Sequence, residues 1–148
     1  MEKTPTDSKA EVIIRMFPSD ANPAGNVFGG AILKHIDMVA GIVAQRYSQT
    51  NAVTVSMDKI SFLKPVFVGN DLFVNARVNY VQKSSMEIEV NVEAEDISKG
   101  TRVLTGNAFV TFVALDDNGN QPQFQHYVLT MLKIKNVLMK ENFVWKDD

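Results

Sequence analysis

One carboxylate stands out as a residue that could do chemistry. The apolar positions of residues 31–46 recur with helical spacing and cover most of the circumference, which predicts a buried helix. Asp37 does not lie in the middle of the polar sector but on its flank, beside Leu33, Ala40 and Ala44. A carboxylate there is costly unless a partner stabilises it, so Asp37 is either a site candidate or a hydrogen-bonded residue at the edge of the helix.

The segment before this helix could bring backbone groups to the same region. Residues 18–30 contain Asp20, Asn22 and Gly25, residue types that turns select, and they end in Gly29 and Gly30. Two residues without side chains allow a close approach by another helix, a sheet or a ligand. The glycines therefore indicate either tight helix packing or a binding role.

Composition excludes several classes of function. The chain has 148 residues, typical of one domain, and a formal net charge of −2, which argues against a nucleic-acid binder. It has no cysteine, and its two histidines, His35 and His126, have no cluster of ligand residues around them, so we expect no metal site. The N-terminus lacks the apolar core of a signal peptide, and no apolar run is long enough to span a membrane. We therefore expect a soluble cytoplasmic protein.

Strand patterns precede and follow the helix. Residues 10–17 indicate a first strand, and residues 52–62, 72–80, 86–95 and 102–115 indicate four more. The apolar face changes near Asp58 and Lys59, which indicates a bulge or strong coiling there. The last strand is apolar on both faces, which predicts a central strand covered on both sides. Residues 121–148 form a C-terminal extension with a possible helix over 127–140.

These elements predict a single α+β domain, a curved antiparallel sheet wrapped around one long helix. A five-stranded sheet with one apolar helix leaves its outer face to the C-terminal helix or to another subunit, so we expect an oligomer.

Three segments in order resemble the hotdog-fold acyl-CoA thioesterases: DANPAGNVFGGAILKHIDMVAG, VTVSMDKISFLKPVFVGND and KSSMEIEVNVEAE. The resemblance covers residues 12–120. It implies dimers that join two sheets edge to edge, commonly assembled as trimers into hexamers, with active sites where the helix of one subunit meets the strands of another. It also implies catalytic roles for Asn22, from the D-A-N turn, and Asp37, from the H-I-D-M helix.

The resemblance implies hydrolysis of an acyl-CoA without a cofactor, since coenzyme A is part of the substrate. Asp37 would activate water as a general base or attack directly as a nucleophile, and Asn22 would orient the water or the carbonyl. The backbone N–H groups of Gly29 and Gly30 would hold the oxyanion.

Further residues are candidates for binding the two ends of the substrate, although each lysine is equally an ordinary solvated residue. The candidates for coenzyme A are Val53, Thr54, Lys64, Lys83, Ser84, Ser85 and Arg102. Those for the acyl chain are Phe28, Ile32, Leu33 and Met57.

Two other functions are compatible with such a scaffold. A hydratase would pair a histidine with a carboxylate, but His35 is about 200° around the helix from Asp37. A non-catalytic module that binds acyl-CoA is the main alternative to an enzyme, because a fold does not fix a function.

Overall fold

The chain is seen in a computed structural model that describes residues 8–116 and residue 118. One long helix and five strands are present, as the sequence predicts: β1 (Ala10–Arg15), α1 (Gly29–Ser48), β2 (Asn51–Phe62), β3 (Asp71–Val81), β4 (Ser85–Asp96) and β5 (Thr101–Leu115). A short 3-10 helix, Pro18–Asp20, lies between β1 and α1. The expected C-terminal extension and its helix lie outside the described residues.

All strand pairs are antiparallel, and the strand order is β1-β3-β4-β5-β2. Alternating residues of β3 and β4 point inward and are buried, for example Leu72, Val74, Ile88 and Val90. They pack with the buried side of α1 in one hydrophobic core. The described sheet has two edges, β1 and β2, and β2 is the longer.

The helix is not buried all round in the single chain, which corrects the prediction. Ile36, Val39, Ala40 and Val43 are inaccessible to solvent or nearly so, because they face the sheet. Met38 and Ile42 remain 45% and 37% exposed, because the sheet covers only one side of the helix. An apolar strip of α1 therefore stays open.

The bulge in β2 is confirmed. The register with β5 shifts between Asp58 and Ser61, and Lys59 has a φ of 53°, a left-handed conformation that lets the strand change its facing. A second shift, between Thr54 and Ser56, was not predicted. Register shifts of this kind bend and twist a strand locally.

Two predictions for strands need correction. β1 ends at Arg15 rather than Phe17, because Met16 leaves the ladder and donates its N–H to the carbonyl of Asn70, at 2.9 Å. β5 is an interior strand as predicted, but its first residues are not covered within the described chain: Val103 and Leu104, which point to opposite faces of the sheet, are 40% and 45% exposed.

Candidate active site

Asp37 lies on the partly exposed flank of α1 and contacts the first residues of β2. The hydroxyl of Thr54 donates a hydrogen bond of 2.6 Å to its Oδ1 atom. Its other oxygen, Oδ2, has no hydrogen bond to any described residue, and no lysine, arginine or histidine of the described chain forms an ion pair with it. One oxygen is therefore held in place while the other is open to accept a proton or to attack an electrophile.

Asn22 is fixed by the loop that it organises. Its Oδ1 atom accepts hydrogen bonds from the backbone N–H groups of Ala24, at 3.0 Å, and Asn26, at 3.1 Å. Its own N–H donates to the carbonyl of Asn26 at 2.7 Å. The side-chain oxygen is thus committed to the turn, while the Nδ2 amide group has no partner among the described residues. Asn22 is both the turn residue and a free donor.

The N-terminus of α1 presents backbone donors without a side-chain cap. Phe28 occupies the cap position and supplies no capping hydrogen bond, and the N–H groups of Gly29 and Gly30 bond to no other described residue. A side chain at Gly30 would meet open space, and one at Gly29 would make ordinary contact with the Phe62 ring at 3.5 Å. Tight packing does not require these glycines, so their N–H groups remain accessible in the region where the helix dipole is positive.

Within one chain these groups form two separate clusters. Asp37 comes eight residues after Gly29, which places it about 12 Å along the helix axis from the N–H groups of the first turn. A carbonyl bound to those N–H groups is therefore too far from Asp37 for a reaction at hydrogen-bond distance. Asn22 is on the same side of this gap as Gly29, because the N–H of Phe28 donates to the carbonyl of Asp20 at 2.8 Å.

The predicted coenzyme A residues divide between the two ends of the sheet. Lys83, Ser84 and Ser85 form the β3–β4 connection or begin β4, and Ser85 and Val53 both pair with Val113 of β5. This hairpin is therefore two strands away from the start of β2, where Thr54 binds Asp37. The structure brings these five candidates, including Val53 and Thr54, to one end.

Arg102 and Lys64 lie at the opposite end. Arg102 is eleven residues from Val113 on β5, about 36 Å along the strand, and its side chain binds Glu93 at 2.7 Å on the outer face. It also lies over the Phe73 ring at 3.7 Å. Lys64 follows β2 and lines a hollow with Lys99. Neither residue joins the hairpin of Lys83 in a single chain.

The predicted acyl-chain residues differ in burial. Ile32 belongs to the core, and Leu33 and Met57 are half-buried against it, whereas Phe28 is 47% exposed at the start of α1. Of the four, Phe28 is the one most open to a ligand.

His35 does not cooperate with Asp37. Its Nδ1 atom is buried without a hydrogen-bond partner in the described chain, and burial lowers the pKa of its imidazole, an effect that nearby Asp20 partly opposes. A partly buried imidazole on another side of the helix from Asp37 cannot relay protons to it, which weighs against the hydratase function.

The role of Thr54 was not predicted from the sequence, although Thr54 was a candidate for substrate binding. Its contact with Asp37 depends on how β2 bends back along α1, and no local pattern reports that. Among the described residues no group of carboxylates and histidines could hold a metal ion. None of the helices described is long and apolar enough to cross a membrane.

Comparison with known proteins identifies relatives over most of the chain. Residues 24–101 match the family model described as the thioesterase superfamily. The uncharacterized acyl-CoA thioester hydrolase YkhA of Bacillus subtilis is 41% identical over 76% of this chain and 66% of its own length. An uncharacterized acyl-CoA thioester hydrolase of Haemophilus influenzae is 33% identical over 80% of both chains. The human cytosolic acyl coenzyme A thioester hydrolase is 39% identical over 76% of this chain, but this chain spans only 30% of that protein.

Solved structures give the same fold. The acyl-CoA hydrolase of Staphylococcus aureus, in complex with butyryl coenzyme A and coenzyme A, superposes with a TM-score of 0.78 at 29% identity over 95% of this chain and 93% of that one. Variants of that enzyme with an Asp, an Asn or a Thr replaced by Ala have also been solved. A hexameric hotdog-fold thioesterase of Campylobacter jejuni superposes with a TM-score of 0.73 at 35% identity, over 85% of this chain and 92% of that one.

Proposed function

Because this chain belongs to the thioesterase superfamily and has the hotdog fold, we propose that it hydrolyses acyl-CoA thioesters to a carboxylic acid and free coenzyme A. The observation that carries the proposal is Asp37: a carboxylate held by Thr54 through one oxygen, unpaired with any cation of the described chain, on an open flank of the central helix. The names of the relatives and the coenzyme A complexes of the S. aureus enzyme support this substrate class.

Asp37 acts at the start of the reaction. As a general base, its Oδ2 takes a proton from water, the resulting hydroxide adds to the thioester carbonyl, and the C–S bond of the tetrahedral intermediate breaks to release the thiolate. The thiolate is a good leaving group because its parent thiol has a pKa of about 8.5, so little acid catalysis is needed. Direct attack by Asp37, through an anhydride that water then cleaves, uses the same oxygen.

Donors at the other cluster stabilise the oxyanion. The Nδ2 group of Asn22 is free to donate, whereas its Oδ1 is occupied by the loop, which favours a contact with the carbonyl oxygen over a contact that orients water. The open N–H groups of Gly29 and Gly30 provide further donors. Such donors act where negative charge develops in the transition state.

The two clusters meet when two copies of the chain pair along β2. This strand is an edge of the described sheet and carries the exposed Val53 and Val55, and α1 separately leaves Met38 and Ile42 open. We name these four residues the edge surface. Antiparallel pairing of two β2 strands puts the Phe62 end of one beside the Asn51 end of the other, so Gly29 and Asn22 of one chain approach Asp37 of the next. The gap of about 12 Å within one chain thereby closes between chains.

Such pairing also gathers the divided coenzyme A candidates. Lys64 follows the end of β2 that carries Phe62, whereas Lys83, Ser84 and Ser85 lie near its beginning. In a two-fold pair, Lys64 of one chain comes to the end of the sheet where the other chain has its hairpin. Lys64 of one chain would therefore bind a coenzyme A phosphate together with the hairpin of the other chain, and only when the two chains are paired.

The S. aureus variants support the choice of Asp37, Asn22 and Thr54. In that enzyme the replaced Asn and Asp are 15 positions apart, and the replaced Asp and Thr are 17 apart. The same spacings, 15 and 17, separate Asn22 from Asp37 and Asp37 from Thr54. Because Thr54 binds Asp37 directly, we assign it the role of orienting the carboxylate.

We extend the proposal to assembly and location. The hexameric thioesterases among the structural relatives favour a homohexamer built from three dimers. The name of the human relative, a cytosolic hydrolase, favours the cytoplasm as the site of action.

An assay of thiol release tests the proposed function. It compares wild type with Asp37→Ala on a panel of acyl-CoAs from acetyl to palmitoyl. We expect turnover that peaks at one range of chain length and is lost in the variant, while coenzyme A binding persists. Absence of turnover across the panel with intact coenzyme A binding would contradict the proposal and favour a non-catalytic binding module.

A further inference from the structure

Gly41 is a glycine in the middle of α1 that needs an explanation. It lies inside the helix Gly29–Ser48 and its φ is not positive, so no unusual backbone conformation calls for it. A glycine in a helix interior destabilises a protein relative to alanine, because its backbone loses more conformational freedom on folding. Such a residue is expected where a side chain would collide with a neighbour, or where another group occupies the space beside the helix.

A methyl group at position 41 would collide with nothing in the described chain. A Cβ atom added at Gly41 would lie 3.6 and 3.7 Å from two atoms of the Phe112 ring, which is ordinary van der Waals contact. At Gly106, in contrast, an added Cβ atom would lie 3.2 Å from the carbonyl oxygen of Ser61, so the packing of the backbone explains that glycine. Gly41 therefore keeps open a space that the described residues do not fill.

This space adjoins the candidate base. Asp37 and Met38 precede Gly41 by four and three residues, so both are its neighbours on the surface of the helix. The Phe112 ring borders the space from the sheet, and Phe112 pairs across the strands with Thr54, which holds Asp37. Gly41 itself is half-buried, so the space is open in the single chain. A thioester that reacts at Asp37 has this space one helical turn away.

The lining of the space favours a hydrocarbon chain. Phe112 is apolar and almost fully buried, and Met38 belongs with Ile42 to the open apolar strip of α1. The next polar side chain along this row of the helix is Gln45, one turn beyond Gly41. The pantetheine arm of coenzyme A carries amide groups, which would lose their hydrogen bonds to water on such a lining, whereas an acyl chain loses none.

We propose that Gly41 is a specificity-determining residue, whose missing side chain lets the acyl group of the substrate pass across α1 beside Asp37. The inference rests on the proposed function, since it takes Asp37 as the group that acts on the thioester. It adds that the substrates include acyl-CoAs with chains long enough to cross Gly41. Because Met38 also belongs to the edge surface, the acyl chain lies along the margin of the contact between two chains.

Enlarging residue 41 tests the proposal, with the length of the acyl group as the internal control. For Gly41→Ala, kcat/KM should fall about tenfold for lauroyl- and palmitoyl-CoA, a usual effect of one methyl group in an apolar site. It should stay at the wild-type value for acetyl-CoA, whose methyl group ends beside Asp37. Gly41→Leu should move the optimum to shorter acyl groups. Val103→Ile adds one carbon to an exposed residue of β5 and should keep the wild-type profile.

The shape of the profile decides the outcome. An equal loss for every acyl-CoA, acetyl included, would place the coenzyme A part of the substrate over Gly41. A profile that Gly41→Ala and Gly41→Leu leave unchanged would mean that no part of the substrate occupies the space. Both results would overturn the proposal. They differ from failure of the proposed function, in which wild type hydrolyses no acyl-CoA at all.

Stability separates this explanation from contact with a second chain. Gly41→Ala should raise the Tm by about 2–4 °C, because alanine is the better helix former and fits at this position. Light scattering should show the same oligomer as wild type. A lower Tm or a smaller oligomer would mean that another chain approaches the glycine closely, and would overturn the proposal.

Binding without turnover gives a second readout. In an Asp37→Ala background, calorimetric titration should show affinity that rises with acyl length, by up to about fourfold per methylene group. With Gly41→Leu added, this rise should stop at short chains, while free coenzyme A binds both proteins equally. Weaker binding of free coenzyme A to the double variant, or an unchanged rise with acyl length, would contradict the role of Gly41.

Discussion

Two sets of carboxylates in the described chain have opposite surroundings. On the outer face of the sheet, Asp71 binds the guanidinium of Arg15 through two hydrogen bonds, of 2.9 and 3.1 Å, and Glu93 binds Arg102 at 2.7 Å. On the flank of α1, the neutral hydroxyl of Thr54 is the only hydrogen-bond partner that Asp37 has among the described residues. Asp71 and Glu93 are each paired with a cation, whereas Asp37 has no cation partner in the described chain and keeps one oxygen free.

This difference separates structural from reactive carboxylates. Hydrogen bonding to Arg15 holds the pKa of Asp71 below its ordinary range, which makes that carboxylate a poorer proton acceptor. Asp37 has a partner that fixes its orientation without supplying a positive charge. The groups around a carboxylate, rather than its residue type, identify the candidate base. Substitutions at Asp37 and its neighbours, or at the carboxylates paired with arginine, test this contrast.

The largest effect is expected for the carboxylate itself. Asp37→Ala should lower kcat about 10³-fold, within the range that a general base contributes, without dispersing the oligomer. Asp71→Asn, which removes a paired carboxylate, should leave kcat unchanged. Steady-state thiol release with both variants measures the contrast, and equal losses in the two would contradict it.

The next effect concerns the donor function of Asn22. Asn22→Asp retains the Oδ1 acceptor that holds Ala24 and Asn26 but removes the Nδ2 donor. We expect kcat to fall about 10²-fold, the cost of losing one oxyanion donor, with a smaller change in KM. Activity near wild type in Asn22→Asp would show that Asn22 serves only to shape the turn.

A smaller effect is expected for the residue that orients Asp37. Thr54→Ala removes the 2.6 Å hydrogen bond and should reduce kcat roughly tenfold, as expected for a bond to a charged acceptor. Thr54→Ser keeps a hydroxyl and should restore most of the rate. If the serine variant is as slow as the alanine variant, the methyl group matters rather than the hydrogen bond.

The smallest effect is on stability and belongs to the paired carboxylates. Because the pKa of Asp71 is lowered in the folded state, its pairing with Arg15 stabilises the fold above the ordinary carboxyl pKa of about 3.9, and this stabilisation is lost as the pH falls through the folded-state pKa. The Tm of wild type should therefore exceed that of Asp71→Asn at pH 7, and the two should converge in acid. A difference that persists at low pH would point to packing instead of charge.

The sequence predicted much of the fold because the spacing of apolar residues along a strand or helix follows directly from which side of it is buried. The two-residue period in β3 and β4 and the helical period of α1 follow from which side of each element meets the core, and all three elements formed as predicted. The bulge at Lys59 was visible as a change of apolar face. The position of β1 at an edge, and the open strip of Met38 and Ile42, depend on long-range pairing that no local pattern encodes.

The candidate site was predictable only in part. Asp37 stood out because a carboxylate on an apolar flank is costly, but its partner Thr54 comes from another element, and the bend of β2 brings the two together. Arg102 was chosen by residue type alone, and the structure shows it in contact with Glu93 and Phe73 on the outer face; its role in binding coenzyme A stays a prediction. A basic side chain can be assigned to phosphate binding only when the structure shows whether an acidic side chain already pairs with it.

Complementation between two inactive variants tests the central claim, that each site takes Asp37 from one chain and Asn22 from its partner. Asn22→Ala and Asp37→Ala are co-expressed, mixed oligomers are isolated with two affinity tags, and thiol release is compared with each variant alone. We predict recovery of about a quarter of wild-type activity, because half of the randomly formed dimers contain one intact site of two. Mixed oligomers as inactive as their parents would contradict the account and place both residues in a site within one chain.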